Sequence, residues 1–154
     1  MPVQNIDHYL LQVADMAATR DWYVRVIGLA EGPNPDFRFP VCWLYADGKD
    51  VLHIAEGGAN VSENRRSYLG QQSTDTEGSG VIDHVAFRAT GLAEMIERLD
   101  REGADYTKRR VDDQASFQLF VQAPDGVKVE LNFDSAEADG IDAGLLASDL
   151  PEQS

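Results

Sequence analysis

The residues of this chain best suited to chemistry are its three histidines, His8, His53 and His84, and one glutamate, Glu130. His8 and His84 each follow an Ile-Asp dipeptide, so the second triplet repeats the first. Nearly the same interval along the chain separates His53 from Glu130, which makes these two residues a second matched pair of a duplicated chain. Imidazole and carboxylate groups are good ligands for divalent metal ions. Four such groups in two matched pairs predict a metal site.

His53 and Glu130 lie in segments whose apolar and polar residues alternate as they do in β-strands. In the strand predicted for Val127–Phe133 the odd-numbered residues are apolar, which leaves Glu130 on the opposite face. In Val51–Ala55 the apolar Leu52 and Ile54 leave His53 opposite in the same way. A histidine or glutamate facing into the concavity of a curved sheet is costly to bury without a partner. Shared ligation of a cation offsets that cost, which favours the metal site.

The repeat also predicts the elements that position these residues. Each Ile-Asp-His triplet opens an apolar, strand-like run, Tyr9–Val13 or Val85–Arg88, which is followed by a helical pattern. The first helix is expected from about Asp15-Met16 to Gly28 and the second from Leu92 to Gly103, each ending at glycine. Three further strands are predicted in each half: Leu29–Gly32, Val41–Ala46 and Val51–Ala55, then Ala104–Thr107, Phe117–Val121 and Val127–Phe133. Each half is therefore predicted to be strand–helix–three strands.

The expected organisation is one domain over residues 1–134, followed by an acidic tail over 135–154 without catalytic residues. The first module covers about 3–57 and the second about 80–134. The connection over 58–79 is rich in Gly, Ser, Asn and Gln, which is typical of a linker or a long functional loop.

Composition excludes several classes of function. The formal charge of −14 and the pI near 4.4 disfavour nucleic-acid binding, which depends on neutralising phosphates. No apolar run is long enough to span a bilayer, and the first residues do not resemble a signal peptide, so we expect a cytoplasmic protein. The single cysteine, Cys42, lies in an apolar run and is expected to be a buried thiol.

The sequence resembles the vicinal oxygen chelate superfamily, which includes glyoxalase I, extradiol dioxygenases, fosfomycin-resistance enzymes, methylmalonyl-CoA epimerase and bleomycin-binding proteins. The resemblance extends from about Val3 to Asp134. The motifs that carry it are Ile6-Asp7-His8, Arg20-Asp21-Trp22-Tyr23 with Ile27-Gly28-Leu29, Ile82-Asp83-His84, and Pro124-Asp125-Gly126 leading to Glu130. It implies an α+β fold of two βαβββ modules whose mixed sheets form a half-open barrel.

The resemblance also implies one divalent metal ion, Fe(II) or else Ni, Co, Zn or Mn. His8, His84 and Glu130 match the two-histidine, one-carboxylate ligand set of the family, and His53 is a fourth ligand or a close neighbour. His53 and Glu130 are the candidate catalytic acid–base groups. The expected substrate is a small molecule that binds the metal through adjacent oxygens. A homodimer is expected, with the paired modules either in one chain or exchanged between chains.

Three activities remain open on the sequence. A dioxygenase-related oxidoreductase is slightly favoured because His53 resembles the proton-transfer histidine of extradiol enzymes. Against it, Phe120 stands where those enzymes have a tyrosine, and their second active-site histidine is absent from residues 110–113. A glyoxalase I-like lyase or isomerase, or an epimerase, is the alternative, although glyoxalase I has a glutamate at the position of His53. A non-enzymatic module that binds a drug or metabolite is the alternative from another class.

The remaining site predictions concern the substrate pocket. Its candidate lining residues are Phe37, Phe39, Trp43, Tyr45 and Phe120, with Gln12, Arg88 and Gln118 as polar groups. Three cations, Arg38, Arg88 and Lys128, are candidates for contact with an anionic substrate.

Overall fold

The structure is a computed structural model that describes residues 4–71, 73–80 and 82–144. The chain divides into two compact units, residues 1–78 and 79–154. Both units contain the order strand, helix and three strands, with a four-stranded mixed sheet in each. The α+β class and the two βαβββ modules predicted from the repeat are therefore confirmed.

The first unit is built around a sheet with the strand order β1-β4-β3-β2, in which β1 and β4 are parallel and the other pairs are antiparallel. Its elements are β1 (Tyr9–Val13), α1 (Met16–Trp22), β2 (Ala30–Gly32), β3 (Val41–Ala46), β4 (Lys49–Glu56) and α2 (Glu63–Leu69). Asp15 caps α1 by accepting from the Ala18 amide. The helix continues as a π-helical turn over Tyr23–Ile27 and stops at Gly28, which adopts the left-handed conformation.

The second unit repeats this sheet with the order β5-β8-β7-β6, and β5 and β8 form its parallel pair. Its elements are β5 (His84–Arg88), α3 (Leu92–Arg101), β6 (Tyr106–Val111), β7 (Ser116–Gln122) and β8 (Lys128–Asp134). Short 3-10 turns follow β6 and β8, over Asp112–Gln114 and Ser135–Ala138. The carboxylate of Glu137 accepts from the amides of Gly91 and Leu92, so it caps the first turn of α3.

The apolar faces expected from strand alternation are buried. In the first unit Leu44, Leu52 and Ile54 are fully buried, together with Tyr23 of the π-helical turn. In the second unit the buried apolar residues of β7 and β8 include Phe117, Leu119, Val121, Val129, Leu131 and Phe133. Each large side chain of this kind stabilises the fold by roughly 1.5–3 kcal/mol. The opposite faces of both sheets are thereby left for the polar residues of the site.

The structure adds detail to two regions of the predicted organisation. Part of the connection expected over 58–79 as linker or loop is the helix α2, which Ser62 caps at its N-terminus. The tail expected after residue 134 begins with the 3-10 turn that carries Glu137 and the buried Ala138. The rest of the predicted tail, from residue 145 onward, lies outside the described residues.

Candidate metal centre

Within each unit, strand pairing brings two of the four predicted metal-binding residues close together. His8 precedes β1, and Leu10, two residues later and on the same face, pairs with His53 of β4. In the second unit His84 opens β5, and Ala86, two residues later, pairs with Glu130 of β8. His53 and Glu130 therefore occupy equivalent positions of the two sheets, as the sequence repeat predicts.

In the first unit His53 is held between two rings. The indole of Trp43 stacks on it with ring centroids 4.0 Å apart and 3° between the planes. The His8 ring lies on it as well, at 3.8 Å and 20°. The Nε2 atom of His53 lies 2.7 Å from a carboxylate oxygen of Asp50. Burial lowers the pKa of His53, and the hydrogen bond to Asp50 opposes that change.

Asp50 was not predicted, and a β-bulge explains why. Leu44 of β3 pairs with Leu52, but the next residue, Tyr45, pairs with Asp50 instead of Val51. Val51 is therefore an extra residue in β4, and the residues before it change face. Regular alternation puts Asp50 and His53 on opposite faces, whereas the bulge brings them together.

In the second unit Glu130 is buried and begins a chain of hydrogen bonds. Its Oε2 accepts from the side-chain amide of Asn132 at 2.9 Å, whose oxygen accepts from Gln118 at 2.8 Å. The Gln118 oxygen accepts in turn from Arg109 at 2.8 and 2.6 Å. The other carboxylate oxygen, Oε1, lies 3.7 Å from Nε2 of His84. One oxygen of Glu130 is thus fixed by the protein and the other faces the histidine.

His8 and His84 have equivalent partners, because each contacts the aspartate that precedes it in the chain. Nδ1 of His8 lies 2.7 Å from a carboxylate oxygen of Asp7, and Nδ1 of His84 lies 2.8 Å from one of Asp83. A lysine also contacts each aspartate, Lys49 on Asp7 at 2.7 Å and Lys128 on Asp83 at 3.0 Å. Hydrogen bonds from Lys49 and His8 lower the pKa of Asp7 to about 2, and those from His84 and Lys128 lower the pKa of Asp83.

The imidazole nitrogens and carboxylate oxygens of these side chains fit a divalent cation as ligands. Two atoms that each bind one ion at about 2.1 Å are at most about 4.2 Å apart, so the 3.7 Å between His84 and Glu130 suits a shared ion. In the first unit His8, Asp50 and His53 offer ligand atoms that all lie within 4.8 Å of one another. A metal–imidazole bond lies close to the ring plane, and the rings of His8 and His53 are stacked with centroids 3.8 Å apart and 20° between their planes. One of these rings would therefore have to turn before both could ligate the same ion.

The predicted pocket residues of the first unit lie in two groups. Phe37 packs against Phe39 at 5.7 Å and Trp43 at 6.2 Å, and Tyr68 of α2 lies 5.4 Å from Phe37, so α2 extends the aromatic cluster. The Tyr45 hydroxyl donates to the carbonyl of Pro33.

The second group ties α2 to β1. Gln12 accepts from the buried Arg65 of α2 at 2.8 Å, and it donates to the carbonyls of Ser73 and Asp75. Arg65 also donates to the carbonyl of Gly70 at 2.6 Å. Gln12 is therefore engaged by the chain itself, and neither Arg65 nor Tyr68 was singled out from the sequence.

Of the pocket residues predicted in the second unit, Phe120 contacts Arg109 and His84. The Arg109 guanidinium lies over the Phe120 ring at 4.7 Å, and His84 meets the ring edge-on at 6.3 Å. Gln118 belongs to the chain of hydrogen bonds that ends at Glu130. Arg88, the last residue of β5, is exposed. Asn132 and Arg109 were missed because their roles depend on cross-strand neighbours.

Comparison with known proteins identifies the family. The profile of the Glyoxalase/Bleomycin resistance protein/Dioxygenase superfamily matches residues 5–131. The chain is 24% identical over 129 residues to lactoylglutathione lyase of Escherichia coli O157:H7, covering 80% of this chain and 88% of that protein. The matched region covers most of the chain, and this chain belongs to that superfamily.

Solved structures agree on the fold. Fosfomycin resistance protein from Listeria monocytogenes superposes with a TM-score of 0.61 at 17% identity, over 88% of this chain and 97% of that chain. Lactoylglutathione lyase from Agrobacterium tumefaciens gives a TM-score of 0.59 at 16% identity, over 88% and 98%. Members of the superfamily bind small molecules and generally a divalent metal ion. Among residues 4–71, 73–80 and 82–144 we find no helix with the length and hydrophobicity required to cross a bilayer.

Proposed function

We propose that this protein is a divalent-metal-dependent lyase or isomerase that moves a proton on a small substrate whose adjacent oxygens bind the metal. The observation that carries this proposal is the buried His53, whose Nε2 is paired with Asp50 while its ring is stacked between Trp43 and His8. A neutral imidazole held in this way is suited to proton transfer near neutral pH. The similarity to lactoylglutathione lyases supports the same class of reaction.

We assign the metal ligands to His8, His84 and Glu130. Support comes from the equivalent strand positions of the two pairs, the 3.7 Å between His84 and Glu130, and the family to which the chain belongs. When bound, the ion would act as a Lewis acid that stabilises negative charge on the substrate oxygens. His53 is left out of the ligand set because of its stacking on His8.

The acid–base work is assigned to His53. In this proposal His53 takes a proton from a substrate carbon beside the oxygens that would bind the metal, and it returns the proton to the adjacent carbon. Asp50 stabilises the protonated imidazole through their 2.7 Å contact, as a carboxylate does for a catalytic histidine. Glu130, which the sequence also made a candidate base, remains a ligand in this proposal because its buried oxygens face Asn132 and His84.

The apolar part of the substrate is assigned to the aromatic rings beside His53. Trp43 contacts His53 directly, and Phe37 and Tyr68 continue the aromatic surface away from it. Tyr68 is 67% exposed, so its ring is available to a ligand. A substrate with a flat or apolar group beyond its two oxygens suits these rings.

The dioxygenase-related activity is the second candidate. If His53 is not a ligand, His8, His84 and Glu130 form a two-histidine, one-carboxylate set of the kind used by non-haem iron oxygenases, with open positions for substrate and O₂. The stacked rings of His8 and His53 are the observation that favours this candidate.

Metal analysis and two assays separate these activities. We expect protein reconstituted with Ni, Co or Zn to turn over a hemithioacetal, and His53→Gln to keep the metal but lose turnover by about 10²–10⁴-fold. The exposed Gln122→Ala is the matched control and should behave as the parent. Oxygen uptake on catechols with Fe(II), without hemithioacetal turnover, would establish the second candidate instead. A protein that binds no divalent metal would be the non-enzymatic module.

A further inference from the structure

The two proposed histidine ligands have a shared environment that the repeat alone does not explain. Each histidine turns Nδ1 toward the aspartate that precedes it, at 2.7 Å for His8 and 2.8 Å for His84. Each aspartate is also bonded to a lysine from the last strand of its sheet. The chain therefore contains two Lys–Asp–His triads, one in each unit.

The lysines come from positions that are not equivalent in the repeat. Lys128 pairs directly with His84 in the β5–β8 register, and it lies two residues before Glu130. Its repeat counterpart is Val51, two residues before His53, whereas Lys49 lies earlier still, before the β-bulge. The same contact is thus made from two different places in the sheet. This favours a role for the triad itself rather than simple inheritance from a duplicated segment.

The chemistry of the pair fixes the histidine tautomer. An ionised carboxylate has no proton to donate, so a hydrogen bond to Asp7 or Asp83 requires the proton on Nδ1 of the imidazole. That leaves the lone pair on Nε2, the atom of His84 that faces Glu130 at 3.7 Å. The aspartate side chains of the pairs are 63% and 73% exposed, and exposed ion pairs stabilise a fold only weakly. Orientation of the ring is the role that remains.

We propose that Asp7 and Asp83 are positioning residues that hold His8 and His84 in the Nδ1-protonated tautomer with Nε2 presented to the metal, while Lys49 and Lys128 fix the aspartates. This inference rests on the proposed function, because it assigns Nε2 of these two histidines to the ion. Outer carboxylates that orient ligating histidines commonly change metal affinity by about 10–100-fold when removed.

His53 provides an internal contrast. Its Nε2, not its Nδ1, contacts a carboxylate, that of Asp50. By the same reasoning His53 carries its proton on Nε2 and has the opposite tautomer. Three aspartates therefore divide the three histidines into two presented through Nε2 and one presented through Nδ1.

Nuclear magnetic resonance of the metal-free protein tests the tautomers without any assay of activity. Long-range ¹H–¹⁵N spectra at about pH 8, where imidazoles are neutral, should contain two Nδ1-protonated rings and one Nε2-protonated ring. Asp83→Ala should change the ring of His84 alone, and Asp7→Ala that of His8 alone. Parent rings that are all Nε2-protonated, or a tautomer of His84 that is unchanged in Asp83→Ala, would overturn the proposal.

Metal titration tests the consequence for binding. Asp83→Ala should lower affinity for Zn or Co by about 10–100-fold, and Asp83→Asn by less, because an amide oxygen still accepts from Nδ1. Asp21→Ala is the matched control, since Asp21 is also exposed and bonded to its chain neighbour, Arg20. Parent-like affinity in Asp83→Ala would refute positioning. A parent protein that binds no metal would instead refute the proposed function and leave the tautomer prediction standing.

Discussion

The two units share one topology but differ in what surrounds the equivalent residues His53 and Glu130. His53 is packed between Trp43 and His8 and bonded to Asp50. Glu130 instead takes part in a chain of side-chain amides. The first environment desolvates an imidazole and gives it a carboxylate partner, whereas the second orients a carboxylate and leaves one oxygen toward a histidine.

This difference shows how a duplicated fold can give two equivalent positions different chemical surroundings. The backbone supplies two equivalent places on two similar sheets, and the neighbouring side chains determine what each place does. In the first unit a β-bulge places Asp50 beside His53, and Trp43 stacks on the histidine ring. In the second unit regular alternation aligns Gln118, Asn132 and Glu130 across neighbouring strands. The proposed division therefore concerns the two equivalent positions, with proton transfer by His53 in the first unit and metal ligation by Glu130 in the second.

The largest expected effects come from removing the metal ligand or the proton-transfer group at the two equivalent positions, Glu130 and His53. Glu130→Gln should abolish stable metal binding, because an amide is a poorer ligand than a carboxylate and remains bonded to Asn132. His53→Gln should keep the metal while turnover falls by about 10²–10⁴-fold. Metal content after gel filtration and steady-state kinetics measure the two losses separately. If His53→Gln also lost the metal, His53 would be a ligand and the contrast between the units would fail.

A smaller effect is expected from breaking the amide chain of the second unit. Asn132→Ala removes the donor to Oε2 of Glu130, which should lower metal affinity by about 10-fold through loss of orientation. Isothermal titration with Zn measures the change. Asn34→Ala is the control, because Asn34 is an exposed amide of the first unit that donates to the neighbouring Pro35 carbonyl. Equal affinities in the two variants would show that the amide chain does not support the ligand.

The smallest expected effect is a change in the pH dependence of stability in the metal-free protein. Burial lowers the pKa of His53 below its ordinary value of about 6.5, so the unfolded chain binds more protons than the native state as pH falls through this value. Native stability should therefore decrease from about pH 7 toward pH 5, and His53→Gln should show a shallower decrease. Denaturant unfolding at several pH values measures it. An equal slope in both proteins would mean that burial of His53 does not disfavour its charged form.

Much of the fold could be predicted because the relevant signals are local. β1 and β3 were predicted at the bounds that the structure has, since alternation and glycine or turn residues delimit them. The helix α2 was not predicted because it is only seven residues long and its sequence is polar. Its position depends on the contacts of Arg65 with Gln12 and of Asn64 with the Arg38 carbonyl, which are distant along the chain.

Residue types, their repetition between the two halves of the chain, and strand alternation were enough to identify the fold and the family and to single out His8, His53, His84 and Glu130. Those features are local or periodic, and they survive in a one-dimensional pattern. The partners of these residues were not readable in that pattern. Asp50 reaches His53 through a bulge that reverses alternation, and Gln118 of the neighbouring strand bonds the Asn132 side chain that donates to Glu130. Such contacts follow from strand register and side-chain packing, which arise when distant segments meet.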